Sequence, residues 1–351
     1  MGRVLGAVLG LGMAAVARGQ VSVIDSDVNA FAAYARNYNL ISLGNVDLSG
    51  SSDTQGGIAV GGNLSISGAW TIASTFSDSP DPSLFLNGQL SLGGNTTYEN
   101  NGYASTKNLT GTWTWDATQK RLTGSSGTLD MNSSDPKASI DPRLNSGPTG
   151  WNWTTETSEF DTISTSLGTQ AQTAGASISV SGGNLDFNST ATSGVVVFDL
   201  DATKLSGNAY NGTSFSNIQI NVPTGVDYVI NVLHLADGQT LFGSGANFNS
   251  GTNDDQLLWN FVDTGSSDIG VTISDGGNFY GSVLAPKVNI TDNTTIDGQV
   301  VAASFTDCGV ELHDLDFTSV VVPEARTFAL WAVGLCGAAV VAGRRLRRAR
   351  S

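Results

Sequence analysis

One local pattern constrains this chain more than any other: a short run of alternating apolar and small polar residues, closed by glycine, asparagine or serine, that returns again and again. Gly57-Ile58-Ala59-Val60-Gly61-Gly62-Asn63-Leu64-Ser65-Ile66-Ser67 shows it, as do Leu90-Ser91-Leu92-Gly93-Gly94 and Ile178-Ser179-Val180-Ser181-Gly182-Gly183-Asn184-Leu185. Alternation at period two places one side of each strand in a core and the other in solvent. The Gly-Gly-Asn punctuation is expected to supply positive backbone torsions at little cost, as tight turns between short strands require. Many short strands joined by short turns mean a sandwich, a barrel or a solenoid. No strict repeat period is present, so a regular solenoid does not follow from counting. An irregular β-helix, whose coils differ in length, fits the same pattern.

Two stretches depart from it. Val28, Phe31, Ala32 and Ala35 lie at helical spacing between Val28 and Asn37, and Phe160, Ile163, Leu167 and Ala171 do the same in a longer run that Gly175 closes. Each reads as a helix with one apolar stripe. The second would lie along a flat β face and bury that stripe, or else link two domains, since Gly147-Pro148-Thr149-Gly150 just precedes it.

The ends read as targeting segments. Arg3, the apolar run Val4 to Val16 and the small residues Ala15, Ala17 and Gly19 have the order of a cleavable signal peptide, assigned to residues 1–19. That run falls short of the roughly 20 residues a spanning helix needs. Thr327 to Gly343 is uncharged and apolar, and Arg344, Arg345, Arg347, Arg348 and Arg350 follow it. Arginines there hold the C-terminus on the cytoplasmic side of a membrane, which places the body between the two segments outside.

Charge excludes one class of partner. The ends hold eight of the sixteen Lys and Arg residues but only one of the 31 Asp and Glu, so residues 20–323 carry eight basic and 30 acidic groups, a formal charge of −22. Such a body repels nucleic-acid phosphates and anionic lipid. Cys336 sits in the apolar tail, so Cys308 and Cys336 do not staple the fold, and His234 and His313 have no zinc or triad spacing. Both histidines are read as structural.

Candidate chemistry is sparse. Asp199 and Asp201 share one strand face in Phe198-Asp199-Leu200-Asp201, and glycoside hydrolysis uses paired carboxylates about 5 to 9 Å apart. In an acidic protein the pair reads rather as a solvated edge. No Gly-x-Ser-x-Gly elbow, His-Glu-x-x-His helix or phosphate loop is present, so catalysis, cofactors and resident metals are not expected. Thr110, Thr112 and Thr114 alternate with Trp113 and Trp115, a pattern that suits either an exposed threonine face or tryptophans turned into a core. Trp151 and Trp153 carry the same ambiguity. Asn253-Asp254-Asp255 lacks EF-hand spacing and reads as a solvated turn. Nine Asn-x-Ser/Thr sequons, among them Asn95, Asn132 and Asn293, accept glycans only in a eukaryotic secretory host.

Longer motifs carry a resemblance. Asn39-Leu40-Ile41-Ser42-Leu43-Gly44-Asn45, Asp53 through Gly57 and Ile58-Ala59-Val60-Gly61-Gly62-Asn63-Leu64 open the body. Trp259-Asn260-Phe261, Phe279-Tyr280-Gly281-Ser282-Val283-Leu284-Ala285-Pro286, Asp297-Gly298-Gln299-Val300-Val301-Ala302 and Glu311-Leu312-His313 close it. In this order they resemble the choice-of-anchor A family of bacterial surface proteins, over roughly Asn39 to Phe317, with Ala73 to Asn152 matching least. The tail after Val322-Pro323-Glu324 resembles a PEP-CTERM sorting signal, with Ala325 in place of its usual second proline. The resemblance implies an ice-binding-like adhesive domain at residues 20–323, all-β, an irregular right-handed β-helix with a long helix packed alongside. It also implies a variable C-terminal anchor, here residues 324–351. The expected function is a non-enzymatic adhesin, secreted or displayed at the cell surface, that attaches to an extracellular polysaccharide, matrix or other surface ligand. A polysaccharide-binding or polysaccharide-cleaving protein and a purely structural matrix component are the alternatives.

Overall fold

The computed structural model describes residues 23–35, 38–76, 80–93, 96–99, 101–106, 108–243, 247–249, 254–274 and 277–319. Residues 1–19 and 324–351, read above as a signal peptide and a sorting or anchoring tail, lie outside them, as do Asn37, Gly94, Asn95 and Asn253. Among the described residues no helix is long and apolar enough to cross a membrane.

The chain is mostly β-strand, with parallel sheets and two α-helices among the described residues. Its strands are short because its turns are frequent. Three rounds open it: Tyr38–Ser42, Val46–Leu48 and Ser52–Thr54; then Gly57–Val60, Leu64–Ile66 and Trp70–Ile72; then Leu84–Leu86, Leu90–Leu92 and Thr96–Glu99. Each strand pairs in parallel with its counterpart one round on, so the chain visits three ladders in rotation. In Leu64–Ile66 and Trp70–Ile72 the outer two residues are buried and the centre is half-buried, as period-two alternation over three residues dictates.

The first ladder runs in space from Ala104–Ser105 through Leu84–Leu86, Gly57–Val60, Tyr38–Ser42, Val300–Asp307, Ser282–Asp292, Leu257–Phe261 and Asp227–Leu233 to Val195–Asp201. The last long strand, Val300–Asp307, therefore lies between the first strand of the fold and Ser282–Asp292. Leu312–His313 repeats this arrangement in the third ladder, between Ser52–Thr54 and Thr295–Asp297. Residues 24–320 form one compact unit.

Strands of the first ladder are buried on both faces, every residue of Tyr38–Ser42, Gly57–Val60 and Leu257–Phe261 included. Two helices cover the outer face. Helix α1 (Val23–Ala35) buries Val28, Phe31 and Ala35, and helix α2 (Trp153–Gly168) buries Phe160, Ile163 and Leu167. Together with Ile41, Ala59, Val229, Leu258, Leu284 and Val301 they form a second apolar core outside the ladders. Asn152 starts α2 by accepting a hydrogen bond from the Thr155 amide at 3.1 Å. The helix stops earlier than its stripe suggests. It ends at Gly168, where a Cβ would meet the Val262 side chain at 2.8 Å, and Ala171 is exposed in the turn beyond instead of extending the stripe toward Gly175.

The Gly-Gly-Asn turns divide into two kinds. Gly182 and Gly183 have φ of 57° and 84°, the left-handed torsions expected of them. Gly61 and Gly62 do not, and they are needed for a different reason. A Cβ would lie 2.4 Å from the Leu43 carbonyl oxygen at the first and 2.4 Å from Asn45 Oδ1 at the second. Close stacking of one turn on the next, rather than backbone torsion, excludes a side chain there.

Two of the ladder ends finish on antiparallel strands. Thr114–Asp116, Arg121–Thr123 and Thr128–Met131 close the third ladder, held by an Arg121–Asp130 ion pair. Ser177–Ser181 closes a separate ladder of Asn184–Asn188, Asn217–Asn221 and Asn247–Asn249.

Candidate adhesive face

The carboxylate pair takes structural roles. Asp199 stands opposite Asn231, which stands opposite Asn260, on the outward side of the first ladder. Asn231 Nδ2 donates to Asp199 Oδ1 at 3.2 Å and to the Leu167 carbonyl at 2.9 Å. Asn260 Nδ2 donates to Asn231 Oδ1 at 2.9 Å and to the Ser164 carbonyl at 3.0 Å, while Ser164 Oγ donates to Asn260 Oδ1 at 2.7 Å. Asp199 is thus the outer end of a polar chain that fastens α2 to the strands, and not the free solvated edge expected of it. Asp201 caps the turn at Ala202, accepting from the Thr203 amide and hydroxyl. The Thr203 hydroxyl, with His234 and Lys204 beside it, holds the Asp201 carboxyl below the usual carboxylate range despite partial burial.

The tryptophan pairs pack. Trp113 and Trp115 are half-buried against the interior core, while Thr110, Thr112 and Thr114 are exposed, and only Thr114 lies within a strand. Trp151 and Trp153, before and at the start of α2, pack against the outer core of the first ladder. Phe85 stacks on Trp153 at 5.4 Å and meets Trp151 edge-on at 5.9 Å, and Tyr38 meets Trp151 at 5.6 Å. His313 bridges Asp297 and Glu311 across adjacent strands of the third ladder. Burial opposes its charge, but the Glu311 and Asp297 carboxylates outweigh this and raise its pKa. Cys308 is an exposed free thiol, pushed up by burial and by Asp307, Asp292 and Asp47, so it is a poor nucleophile near neutral pH. Among the described residues no group of three or more His, Cys, Asp or Glu side chains is placed to hold a metal ion.

A regular surface emerges on the second ladder. Ser91, Ser65, Asp47, Thr306, Thr291, Thr272 and Thr240 stand directly opposite one another on seven successive strands. Each is exposed or half-buried, and its chain neighbours point inward to the core. Neighbouring strands lie about 4.8 Å apart, so the row spans about 29 Å. A parallel second row holds Ser304, Asn289 and Gly270, with Ser304 Oγ donating to Asn289 Oδ1 at 2.6 Å. Threonine is stiff at χ1, which fixes each methyl and hydroxyl in place before any ligand arrives. The spacing is locked from the turns, where Asn45 Oδ1 accepts from the Asn63 amide at 2.8 Å and Asn63 Oδ1 from the Gln89 amide at 2.9 Å. The sequence reading overlooked this row because its members come from seven strands between positions 47 and 306. Triplets such as Val271-Thr272-Ile273, with a threonine between inward apolar residues, are the local trace it leaves.

Comparison with known proteins finds one family. A family model described as "Putative Ice-binding-like adhesive domain" matches residues 31–314. Solved structures similar to the chain include a glycosylated ice-binding protein from an Arctic yeast, at 14% identity and a TM-score of 0.30 over 83% of this chain and 95% of that one. Another is the ice-binding protein of the Antarctic ascomycete Antarctomyces psychrotrophicus, at 10% identity and a TM-score of 0.33 over 81% and 97%. A third comes from an Antarctic biological consortium, at 12% identity and a TM-score of 0.28 over 80% and 87%. Among curated proteins none matches.

Proposed function

The chain belongs to the ice-binding-like adhesive domain family, and from that premise we propose that it is an exported, surface-displayed adhesin without enzymatic activity. The ladders are read as an irregular right-handed β-helix with α2 alongside, and the second ladder as its adhesive face. The observation that carries this reading is the row from Ser91 to Thr240, six hydroxyls and the Asp47 carboxylate in register over seven strands. Hydroxyls at strand spacing, four of them on stiff threonines and interrupted once by Asp47, suit a rigid repetitive surface such as ordered water or packed polysaccharide. Each contact is weak, and many of them act together on one body, so attachment is strong only where the surface repeats. The carboxylate pair that catalysis would need is engaged elsewhere, in fastening α2 and capping a turn. The tail at residues 324–351 is proposed as a sorting or anchoring segment that brings this face to the cell exterior.

The test is attachment of beads coated with the full chain to ice crystals and to microcrystalline cellulose, with and without the paired change Thr272→Arg and Thr291→Arg. These two residues are neighbours in the row, and both side chains point away from the core. Attachment to at least one surface that falls at least tenfold in the variant, at unchanged melting temperature, is the expected result. Equal attachment by both forms would assign adhesion to another face.

A further inference from the structure

A second ordered surface lies on the separate ladder that Ser177–Ser181 closes. Its inward side carries Leu185, Phe187, Ile218 and Phe248. Its outward side is a grid of amides and hydroxyls. Ser181, Asn184, Asn217 and Asn247 form one row, Ser179, Asp186 and Gln219 the next, and Ser177, Asn188 and Asn221 a third. No shift of register interrupts the pairing.

The amides orient one another. Asn184 Nδ2 donates to Gln219 Oε1 at 3.0 Å, and Asn217 Nδ2 to Asn184 Oδ1 at 2.9 Å. Asn221 Nδ2 donates to Asn188 Oδ1 at 2.9 Å and to Asp186 Oδ1 at 3.4 Å. Each amide nitrogen has two N–H groups, and those of Gln219 and Asn188 donate to no partner among the described residues. The outward side is therefore preorganised and still has donors and acceptors to offer. Beyond the grid, Tyr280 on Asn278–Tyr280 is half-buried against the interior core, where it meets Phe248 edge-on at 6.1 Å.

We propose that this grid is a second binding surface, and that its ligand is a neutral, hydroxyl-rich polysaccharide chain. Charge selects the class. The grid carries the single carboxylate Asp186 and no Lys or Arg, on a body of formal charge −22. An acidic polymer is repelled and finds no cation, and a basic polymer finds one carboxylate for many amides. Sugar hydroxyls both donate and accept, as amides do. Half-buried amide pairs that hold one another in place lose little side-chain entropy when they bind, which makes weak hydrogen bonds count. This surface is distinct from the hydroxyl row, so either proposal stands if the other fails.

The experiment is affinity electrophoresis of the purified full chain through gels containing dextran, hydroxyethylcellulose or, as the acidic control, alginate. Retardation in at least one neutral gel and none in alginate is expected. The paired change Asn217→Asp and Gln219→Glu should weaken that retardation at least tenfold, whereas Thr272→Arg with Thr291→Arg should leave it unchanged. Asn188→Ala, which spares the Asn184–Gln219–Asn217 chain, should weaken it about threefold and serves if the charged pair lowers the melting temperature. Three results overturn the proposal: no retardation in either neutral gel, unchanged retardation of both grid variants, or loss in the threonine variant alone. Equal slowing in a polymer-free gel, the mark of self-association, overturns it as well.

Discussion

At the scale of single residues, the second ladder hides an acidic cost beneath its hydroxyl row. Asp292 and Asp307 stand opposite each other on adjacent strands, both fully buried. Asp307 Oδ1 accepts from the Val310 amide at 3.0 Å and from the Gly309 amide, but Oδ2 is buried without a partner. Burial pushes its pKa up to about 6 against these two hydrogen bonds, which favour the charged form. The folded pKa thus exceeds the unfolded value of 3.8, so the native state holds a proton that the unfolded chain has already lost. Stability from this group is present below about pH 4 and is lost as pH rises toward 6. Asp314, pushed to about 6 by burial and by Asp316, and His313 act with the same sign. Urea unfolding should therefore give a higher midpoint at pH 5 than at pH 8. Asp307→Asn keeps the Oδ1 acceptor and removes the charge, so it should raise stability at pH 8 by about 2 kcal/mol and flatten part of that slope. An unchanged slope would mean that Asp307 is already ionised in the folded state at pH 5.

At the scale of elements, α2 is held by two unlike devices. Its stripe of Phe160, Ile163 and Leu167 fills the outer core, and the Ser164–Asn260–Asn231 chain fixes its position along the ladder. Phe160→Ala should cost about 3–5 kcal/mol through lost burial and a cavity. Asn260→Ala should cost about 1–3 kcal/mol, because Asn231 and Ser164 lose a partner in a buried place. Denaturant titrations measure both, and hydrogen exchange separates them: Phe160→Ala should expose amides of α2 and of the strands beneath, Asn260→Ala mainly those of the helix. A cost near zero for Asn260→Ala would show that water replaces the lost amide.

At the scale of the molecule, the order of strands matters more than their number. Val300–Asp307 and Leu312–His313 pair on one side with the opening strands and on the other with strands from the closing half. The two halves should therefore unfold in one cooperative transition, seen as coincident melting by circular dichroism and tryptophan fluorescence. A chain cut after Gly298 loses both inserted strands and leaves two open parallel edges in each of the three ladders. It should melt without a cooperative transition and associate with itself. Retention of the full-length melting curve would show that the halves do not depend on the inserted pair.

Much of this protein is local and was legible in its residues. Period-two runs such as Leu64-Ser65-Ile66 fixed the strand class, and helical spacing of Val28, Phe31 and Ala35 marked α1, because both depend on which side of a short segment must leave water. The family, too, was carried by contiguous motifs from Asn39 onward. What the sequence alone left undecided depends on register between distant strands. The hydroxyl row from Ser91 to Thr240, the amide grid around Gln219 and the engagement of Asp199 by Asn231 each join residues from different rounds of the chain. Local pattern says that Thr272 points outward; only the pairing of one strand on the next sets Thr291 and Thr240 beside it.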